Sequence, residues 1–305
     1  KSLMDALSPG TRLLLVGDAD QLPSVGPGNV LADVLSHPDI PSARLTEIFR
    51  QAEGSMIVLN AHRVNRGEFP ELNAKSGDFF FEAKAQAEQA AECIVGLCAR
   101  RLPAFLGEED GMRGIQVLSP TRKGACGVVA LNASLQAALN PPGPKKPEVQ
   151  FGETTFRRGD KVMHVRNNYT LRWESAGGVE GQGVFNGDIG FITAVDAQGR
   201  GVKVLYDDER EVNYEYPQLE ELELAYCLSV HKSQGSEFPA VVMPMVGGPR
   251  MLLTRNLLYT GITRARRLVV LVGRQEVLRM MAENNRERRR YSALGHWLAR
   301  MSEGI

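Results

Sequence analysis

The sequence predicts an α/β chain: a parallel sheet with helical crossovers, interrupted by a small antiparallel β-barrel. Three observations carry that prediction. Thr11-Arg-Leu-Leu-Leu-Val-Gly17 and Gly114-Ile-Gln-Val-Leu-Ser119 are short apolar runs that each end in a polar cluster, the pattern of strands buried on both faces. Between residues 148 and 223 the runs alternate apolar with polar residues and are separated by turn formers, the pattern of half-buried antiparallel strands. Unbroken apolar runs then return in Val241-Val-Met243 and Leu268-Val-Val-Leu-Val272.

The bulk numbers bound the function. At 305 residues the chain has room for two domains, or one with an insertion. Lys plus Arg equals Asp plus Glu at 36 each, so any nucleic-acid surface must come from local clustering. Four cysteines (Cys93, Cys98, Cys126, Cys227) form no C-x-x-C pair, which argues against a zinc site and fits free buried thiols in a reducing cytosol. No apolar run reaches membrane-spanning length and no signal peptide opens the chain. Its first ten residues read as the middle of a helix and a Pro-Gly turn, which predicts a longer protein.

Taken in order, the Thr11–Gly17 strand runs into Asp18-Ala-Asp-Gln21 and a loop crowded with Gly and Pro. Polar groups at the carboxyl end of a parallel strand are where open α/β sheets place ligands, although an ordinary capped turn would look the same. Ser55 to Arg66 has helical spacing, Phe79 to Phe81 is a strand of core aromatics, and Ala83 to Arg101 is helical. After Ser119 come Thr121, Arg122 and Lys123, hydroxyl and cations at a strand mouth that suit phosphate contact or plain surface charge. A helix follows from Val128 to Leu139, then a linker, Asn140-Pro-Pro-Gly-Pro-Lys-Lys-Pro147.

The barrel strands are expected at Asp160–Arg166, Gly190–Val195, Val202–Tyr206 and Glu211–Tyr216, with turns at Asn186-Gly-Asp188 and Asp196–Gly199 and a glycine-rich loop from Gly177 to Gly183. Arg166, Tyr169, Arg172 and Trp173 mix cations and aromatics as single-strand binders do; barrel core and rim explain them equally well. An acidic run, Glu220-Glu-Leu-Glu223, precedes Leu224-Ala-Tyr-Cys-Leu-Ser-Val-His-Lys-Ser-Gln-Gly-Ser-Glu-Phe-Pro-Ala-Val-Val-Met243. That stretch is a polar knot between apolar flanks, where function concentrates. Asn256 to Arg267 reads as a helix feeding the Leu268–Val272 strand, Arg274 to Asn284 as another, and Arg286-Glu-Arg-Arg-Arg290 as a solvated helical face.

Separately these runs have ordinary readings as turns and solvated faces. Together they resemble RecD-like superfamily 1 DNA helicases. The carriers are Gly17-Asp-x-x-Gln-Leu-Pro-Ser-Val-x-x-Gly28, Arg44-Leu-Thr-Glu-Ile-Phe-Arg-Gln51, the Ser229–Glu237 knot, Leu258-Tyr-Thr-Gly-Ile-Thr-Arg-Ala-Arg-Arg267 and the Gly159-Asp-Lys-Val-Met163 strand. The resemblance implies a RecA-like motor domain of the P-loop NTPase type with an inserted SH3-like barrel. It divides the chain into the end of a first RecA-like domain (1–43), the first part of a second (44–147), the barrel (148–223) and the rest of the second (224–305).

The resemblance also implies roles. Arg264 would be an arginine finger, with Gln21 and Arg50 at the γ-phosphate; Gly17, Asp18, Gly235 and Glu237 would line the nucleotide cleft. Ser119, Thr121, Arg122, Lys123, His231, Lys232 and Ser233 would contact single-stranded DNA. An amide can donate to phosphate and rearrange when it leaves, and an arginine answers charge that develops in the transition state. ATP with Mg²⁺ is the implied cofactor; single-stranded DNA and its junction with duplex are the implied partners of a monomeric cytoplasmic motor, moving 5′ to 3′ in recombination and repair. The chain contains no G-x-x-x-x-G-K-[ST] and no Asp-Glu closing a strand before Thr11, so both are expected upstream, and hydrolysis is expected to need that region. A non-catalytic DNA-binding module built on the barrel is the alternative. A nuclease is disfavoured, because no carboxylate cluster pairs with a Lys at usable spacing.

Overall fold

The computed structural model describes residues 5–23, 26, 28–45, 54–74, 77–107, 111–144, 146–196, 200–206, 209–286 and 293–302. The chain forms two compact units, one from residues 1–48 with 287–305 and the other from 49–286.

In the smaller unit, helix α1 (Val30–Leu35) packs with a helix near the carboxyl terminus, Leu294–Ser302. The strand expected at Thr11–Gly17 does not form: these residues pair with no neighbour, and Leu14 and Val16 are 83% and 87% exposed. The reason is physical. A strand is defined by its ladder partners, and the described residues supply none beside it.

The larger unit holds a five-stranded parallel sheet. Its strands are β1 (Phe79–Ala83), β2 (Ile115–Ser119), β12 (Cys227–Ser229), β13 (Phe238–Met245) and β14 (Ala265–Gly273), in the order β1-β14-β13-β2-β12. Thus β2, which precedes the inserted strands in sequence, lies between β12 and β13, which follow them. Helix α2 (Met56–Asn65) is started by Ser55, whose hydroxyl accepts from Val58 N, and is tied to β1 by Ser55 Oγ donating to Asp78 at 2.6 Å. Helix α3 (Ala87–Gly96) continues through a π-turn at Leu97–Arg101 into α4 (Leu102–Leu106). Helix α5 (Val128–Leu139) completes the packing over Ile115, Val117, Val242 and Val270.

Between α5 and β12 lies a separate antiparallel sheet. Seven strands run in the order β11-β5-β8-β9-β10-β6-β7: β5 (Lys161–His164), β6 (Asn168–Ser175), β7 (Glu180–Val184), β8 (Ile189–Asp196), β9 (Gly201–Tyr206), β10 (Arg210–Tyr214) and β11 (Leu222–Leu224). A hairpin of β3 (Glu148–Phe151) and β4 (Thr154–Arg157) adds Val149 and Phe156 to the core around Val162, Ile192, Val204 and Val212. This architecture is consistent with an SH3-like insertion. The glycine-rich loop expected at 177–183 is instead mostly strand: Gly181 pairs with Trp173, whose indole covers it so closely that a Cβ would collide with the ring. Glycine there makes room for an aromatic across the ladder.

Helix α6 (Arg255–Ile262) ends earlier than the sequence suggests. Thr263 caps it, Arg264 turns the corner, and Arg266 and Arg267 belong to β14. Pairing of Ala265 with Phe238 fixes where β14 must begin, and that ladder overrides helix propensity. Helix α7 (Gln275–Glu283) follows. Of the basic stretch at 286–290, only Arg286 is described, in coil.

Candidate functional site

The two runs expected to contact DNA begin side by side. Ser229 at the end of β12 is the ladder partner of Ser119 at the end of β2, so both loops leave the carboxyl edge of the parallel sheet together, the usual ligand edge of such sheets. The loop after β2 is braced from within. Ser119 is fully buried; its hydroxyl donates to the carbonyls of Cys126 at 2.7 Å and Thr121 at 3.0 Å, and Thr121 Oγ1 donates to Lys123 O at 3.2 Å. Arg122 and Lys123 are exposed at the tip.

The second loop is the crossover from β12 to β13. A single 3₁₀ turn, Val230–Ser233, starts it, with Ser229 Oγ accepting from Lys232 N at 3.4 Å. Ser233 is fully buried and donates to Val230 O at 2.8 Å; His231 is exposed, and Lys232 Nζ is 2.7 Å from Glu223. Ser119 and Ser233 therefore hold their loops in shape, and their hydroxyls are turned inward. Gly235 takes φ +82°, a left-handed turn that favours glycine. The chain then reaches Glu237, the residue before β13, at the opposite edge of the sheet.

At that edge Arg264 meets the crossover. Its Nη1 donates to Ser236 O at 3.2 Å, its Nε to Thr260 O at 3.3 Å and its Nη2 to Thr263 Oγ1 at 3.4 Å, while its own carbonyl accepts from Phe238 N at 2.8 Å. Arg264 is 8% exposed. Beside it Arg266 Nε donates to Glu237 at 2.8 Å across an exposed pair. Helix α6 reaches this corner because Gly261 lies flat on Met243; a Cβ there would run into the thioether.

The third cluster lies in the smaller unit. Asp18 accepts from Asp20 N and from Gln21 Nε2, each at 3.0 Å, and Asp20 is 2.6 Å from Arg44. Gly17, beside Leu31, and Asp18 are exposed, with Gln21 half-buried. Arg50 lies outside the described residues. The structure thus brings Arg264, Gly235 and Glu237 together, and separately the two loops expected to contact DNA.

Sequence reasoning passed over the groups that lock the insertion to the parallel sheet. Asp160 is fully buried and accepts four hydrogen bonds, from Asn140 Nδ2 at 2.6 Å, Tyr226 OH, Gln136 Nε2 and Arg157 N at 2.7 Å each. Burial still pushes its carboxyl above the ordinary range, and the four donors only moderate the rise. Asn132 brackets Cys227 by accepting from its N–H and donating to its carbonyl. Lys161, also buried, donates to Ile115 O at 3.1 Å. Asn132, Gln136 and Asn140 recur every fourth residue, so a polar stripe on an otherwise apolar helix was the available signal. The thiols are no nucleophiles: burial pushes Cys126 up to about 11 and Cys98 up to about 12. Among the described residues, no group of His, Cys, Asp or Glu could hold a metal ion.

Three family models match this chain: the ATP-dependent RecD-like DNA helicase SH3 domain over residues 131–206, the UvrD-like helicase C-terminal domain over 224–272, and an AAA domain over 1–79. The ATP-dependent RecD2 DNA helicase of Deinococcus radiodurans is 33% identical over 293 residues, covering 96% of this chain and 37% of that protein. The chain is similar to RecD-like helicases over nearly its whole length. The RecBCD enzyme subunit RecD of Mycobacterium tuberculosis is 30% identical over 289 residues, covering 91% of this chain and 47% of that subunit. The chain spans under half the length of these two curated relatives. Among solved structures, the Pif1 helicase from Bacteroides in complex with ADP-AlF3 and ssDNA aligns over 86% of this chain and 57% of its own, at TM-score 0.47 and 17% identity.

Proposed function

We propose that this chain is the C-terminal motor region of an ATP-dependent DNA helicase of the RecD-like kind, translocating 5′ to 3′ on single-stranded DNA and unwinding duplex in recombination and repair. One observation carries the reading: a single crossover, residues 230–237, presents His231 and Lys232 at one edge of the sheet and is clasped by Arg264 at the other. A segment that touches both ligands gives hydrolysis a route to the DNA grip.

Roles follow from chemistry. Arg264 answers the charge that develops on the γ-phosphate, with Arg50 as a second cation, and Gln21, already oriented by Asp18, senses the phosphate. Gly17 and Asp18 shape that turn, and Gly235 and Glu237 line the nucleotide side. Arg122, Lys123, Thr121, His231 and Lys232 hold the strand backbone, and Ser119 and Ser233 position them. ATP supplies the phosphoryl group, and most ligands of its Mg²⁺ are expected, from the resemblance, in the phosphate-loop region rather than in this chain. We divide the chain as the sequence implies, at 43, 147 and 223. Among the described residues no helix is long and apolar enough to cross a membrane, and the motor is proposed to act in the cytoplasm as a monomer.

A second reading, a non-catalytic DNA-binding module, is favoured by one observation: Tyr169, 69% exposed, and Phe185, 41% exposed, form an edge-to-face pair on the insertion. ATP hydrolysis separates the two. It is measured in the protein that includes the phosphate-loop region, with and without single-stranded DNA carrying a 5′ tail. The motor reading expects hydrolysis stimulated by the strand. Strand binding without hydrolysis would leave the module reading, and hydrolysis by this chain alone would overturn the split-site account.

A further inference from the structure

The acidic run before the crossover is spent on cations and amides. Glu223 Oε2 accepts from Lys232 Nζ at 2.7 Å, and Glu220 Oε1 accepts from Arg166 Nη1 at 2.7 Å. Between them Glu221 accepts from Asn168 Nδ2 at 3.0 and 3.2 Å and lies 3.5 Å from His164 Nε2. The outer two pairs sit in solvent, with side chains 31% exposed for Lys232, 43% for Glu223, 58% for Arg166 and 51% for Glu220. Glu223 belongs to β11, an edge strand of the inserted sheet, whereas Lys232 belongs to the crossover of the parallel sheet. That ion pair therefore bridges the two sheets.

We propose that Glu223 and Glu220 are built-in phosphate mimics: they occupy Lys232 and Arg166 in the free protein and are displaced by the backbone of single-stranded DNA. This rests on the reading that the crossover contacts DNA, and it adds Arg166 as a second backbone contact. A carboxylate offers a cation the same charge-assisted acceptor that a phosphodiester oxygen does. Exposed pairs of this kind are weakly held and salt-screened, so exchange for a strand dense in phosphates is favourable. The mimic keeps both cations extended and ordered before DNA arrives, and it lowers affinity for stray polyanions. Exchange at Lys232 also breaks this ion pair between crossover and insertion, while the buried bonds of Asp160 and Lys161 keep the two sheets joined.

The test is fluorescence anisotropy of a labelled oligothymidylate, titrated with this chain over a range of salt. Four variants are compared with the wild type: Glu223→Gln, Glu220→Gln, Lys232→Ala and Glu223→Gln/Lys232→Ala. Glu223→Gln and Glu220→Gln should each tighten binding about two- to fivefold, the scale of an exposed ion pair. Each should also steepen the salt dependence by up to about 0.7 in log–log slope, one freed cation on a single strand. Lys232→Ala should weaken binding, and in its background Glu223→Gln should give no gain. Wild-type affinity in Glu223→Gln, or a gain that survives without Lys232, overturns the inference and leaves the DNA reading intact. No binding by the wild type overturns both.

Discussion

Arg264 donates to the carbonyl of Ser236 at 3.2 Å while its own carbonyl accepts from Phe238 N at 2.8 Å, so one residue holds both sides of the turn around Glu237. Three of its guanidinium bonds, to Thr260 O, Ser236 O and Thr263 Oγ1, run from 3.2 to 3.4 Å, longer than the charge-assisted bonds an arginine makes to phosphate. Arg264→Ala is expected to lower DNA-stimulated ATP hydrolysis by about a thousandfold while leaving strand binding within a few-fold. Arg264→Lys should fail almost as badly, because an ammonium lacks the planar fork. Steady-state hydrolysis with saturating oligonucleotide, paired with a binding titration, checks both. Normal hydrolysis by either variant would remove Arg264 from the chemistry.

Asp160 joins three elements through four donors: Gln136 and Asn140 from the α5 end, Tyr226 ahead of β12 and the Arg157 N–H of β4. Asp160→Ala strands all four in a dry site and should cost roughly 3 kcal/mol or more. Asp160→Asn keeps the shape but turns an NH₂ towards two donors, so it should recover little. Denaturant unfolding reads the loss. A cost below about 1 kcal/mol for either variant would mean that water takes the place of the carboxylate.

Much of this was legible locally. Helix α5 and the inserted strands β8, β9 and β10 follow from spacing, because each satisfies its own backbone or pairs with a near neighbour in sequence. Strand β1 was read from its aromatics although its partner β14 lies far along the chain, and β7 was read as a loop. Asp160 was visible only as the first residue of an expected strand, since its side-chain donors come from 20 to 66 residues away and only the Arg157 N–H is local. Lys232 was expected to contact DNA, and nothing in its motif announces its pairing with Glu223 on another sheet. Thr11–Gly17 reads as a strand on composition and is none here, since pairing depends on a neighbour that composition does not reveal. Ser119 and Ser233 were expected to contact DNA; burial turns their hydroxyls inward, where they brace the two loops.

Gly127 ties the fold to the Arg122–Lys123 loop proposed to hold DNA. Its φ is an ordinary −76°, so the demand is for space. A Cβ there would lie 2.5 Å from Lys123 C, 2.6 Å from Lys123 O and 2.7 Å from Arg122 C, all backbone atoms that cannot step aside. Gly127→Ala should therefore reshape the Arg122–Lys123 tip and destabilise the chain by about 2 kcal/mol. Single-strand affinity should fall with it, whereas Gly124→Ala, at φ +91° with nothing within 4 Å, strains only its own backbone. Equal affinity in Gly127→Ala and wild type would detach this loop from DNA.

His164 gives the insertion a pH dependence of defined sign. It is fully buried; Tyr214 OH lies 3.0 Å from Nδ1, Tyr206 OH is 2.5 Å from Tyr214 OH, and Glu221 is 3.5 Å from Nε2. Burial pushes the imidazole below its ordinary 6.5, and the negative charges of Glu221 and Asp188, the latter paired with Arg210, oppose that shift only in part. The unfolded chain then takes up a proton that the folded chain refuses, so this residue's contribution falls as pH drops from about 6.5 towards the lowered value. His164→Gln keeps a donor and an acceptor without the titration. Unfolding free energies measured at about pH 7.5 and about pH 5.5 should separate less in the variant than in the wild type, by up to about 1.4 kcal/mol per pH unit within the window. Parallel pH profiles would show that the imidazole titrates alike in the folded and unfolded chain, and that acid sensitivity of the insertion arises at other groups.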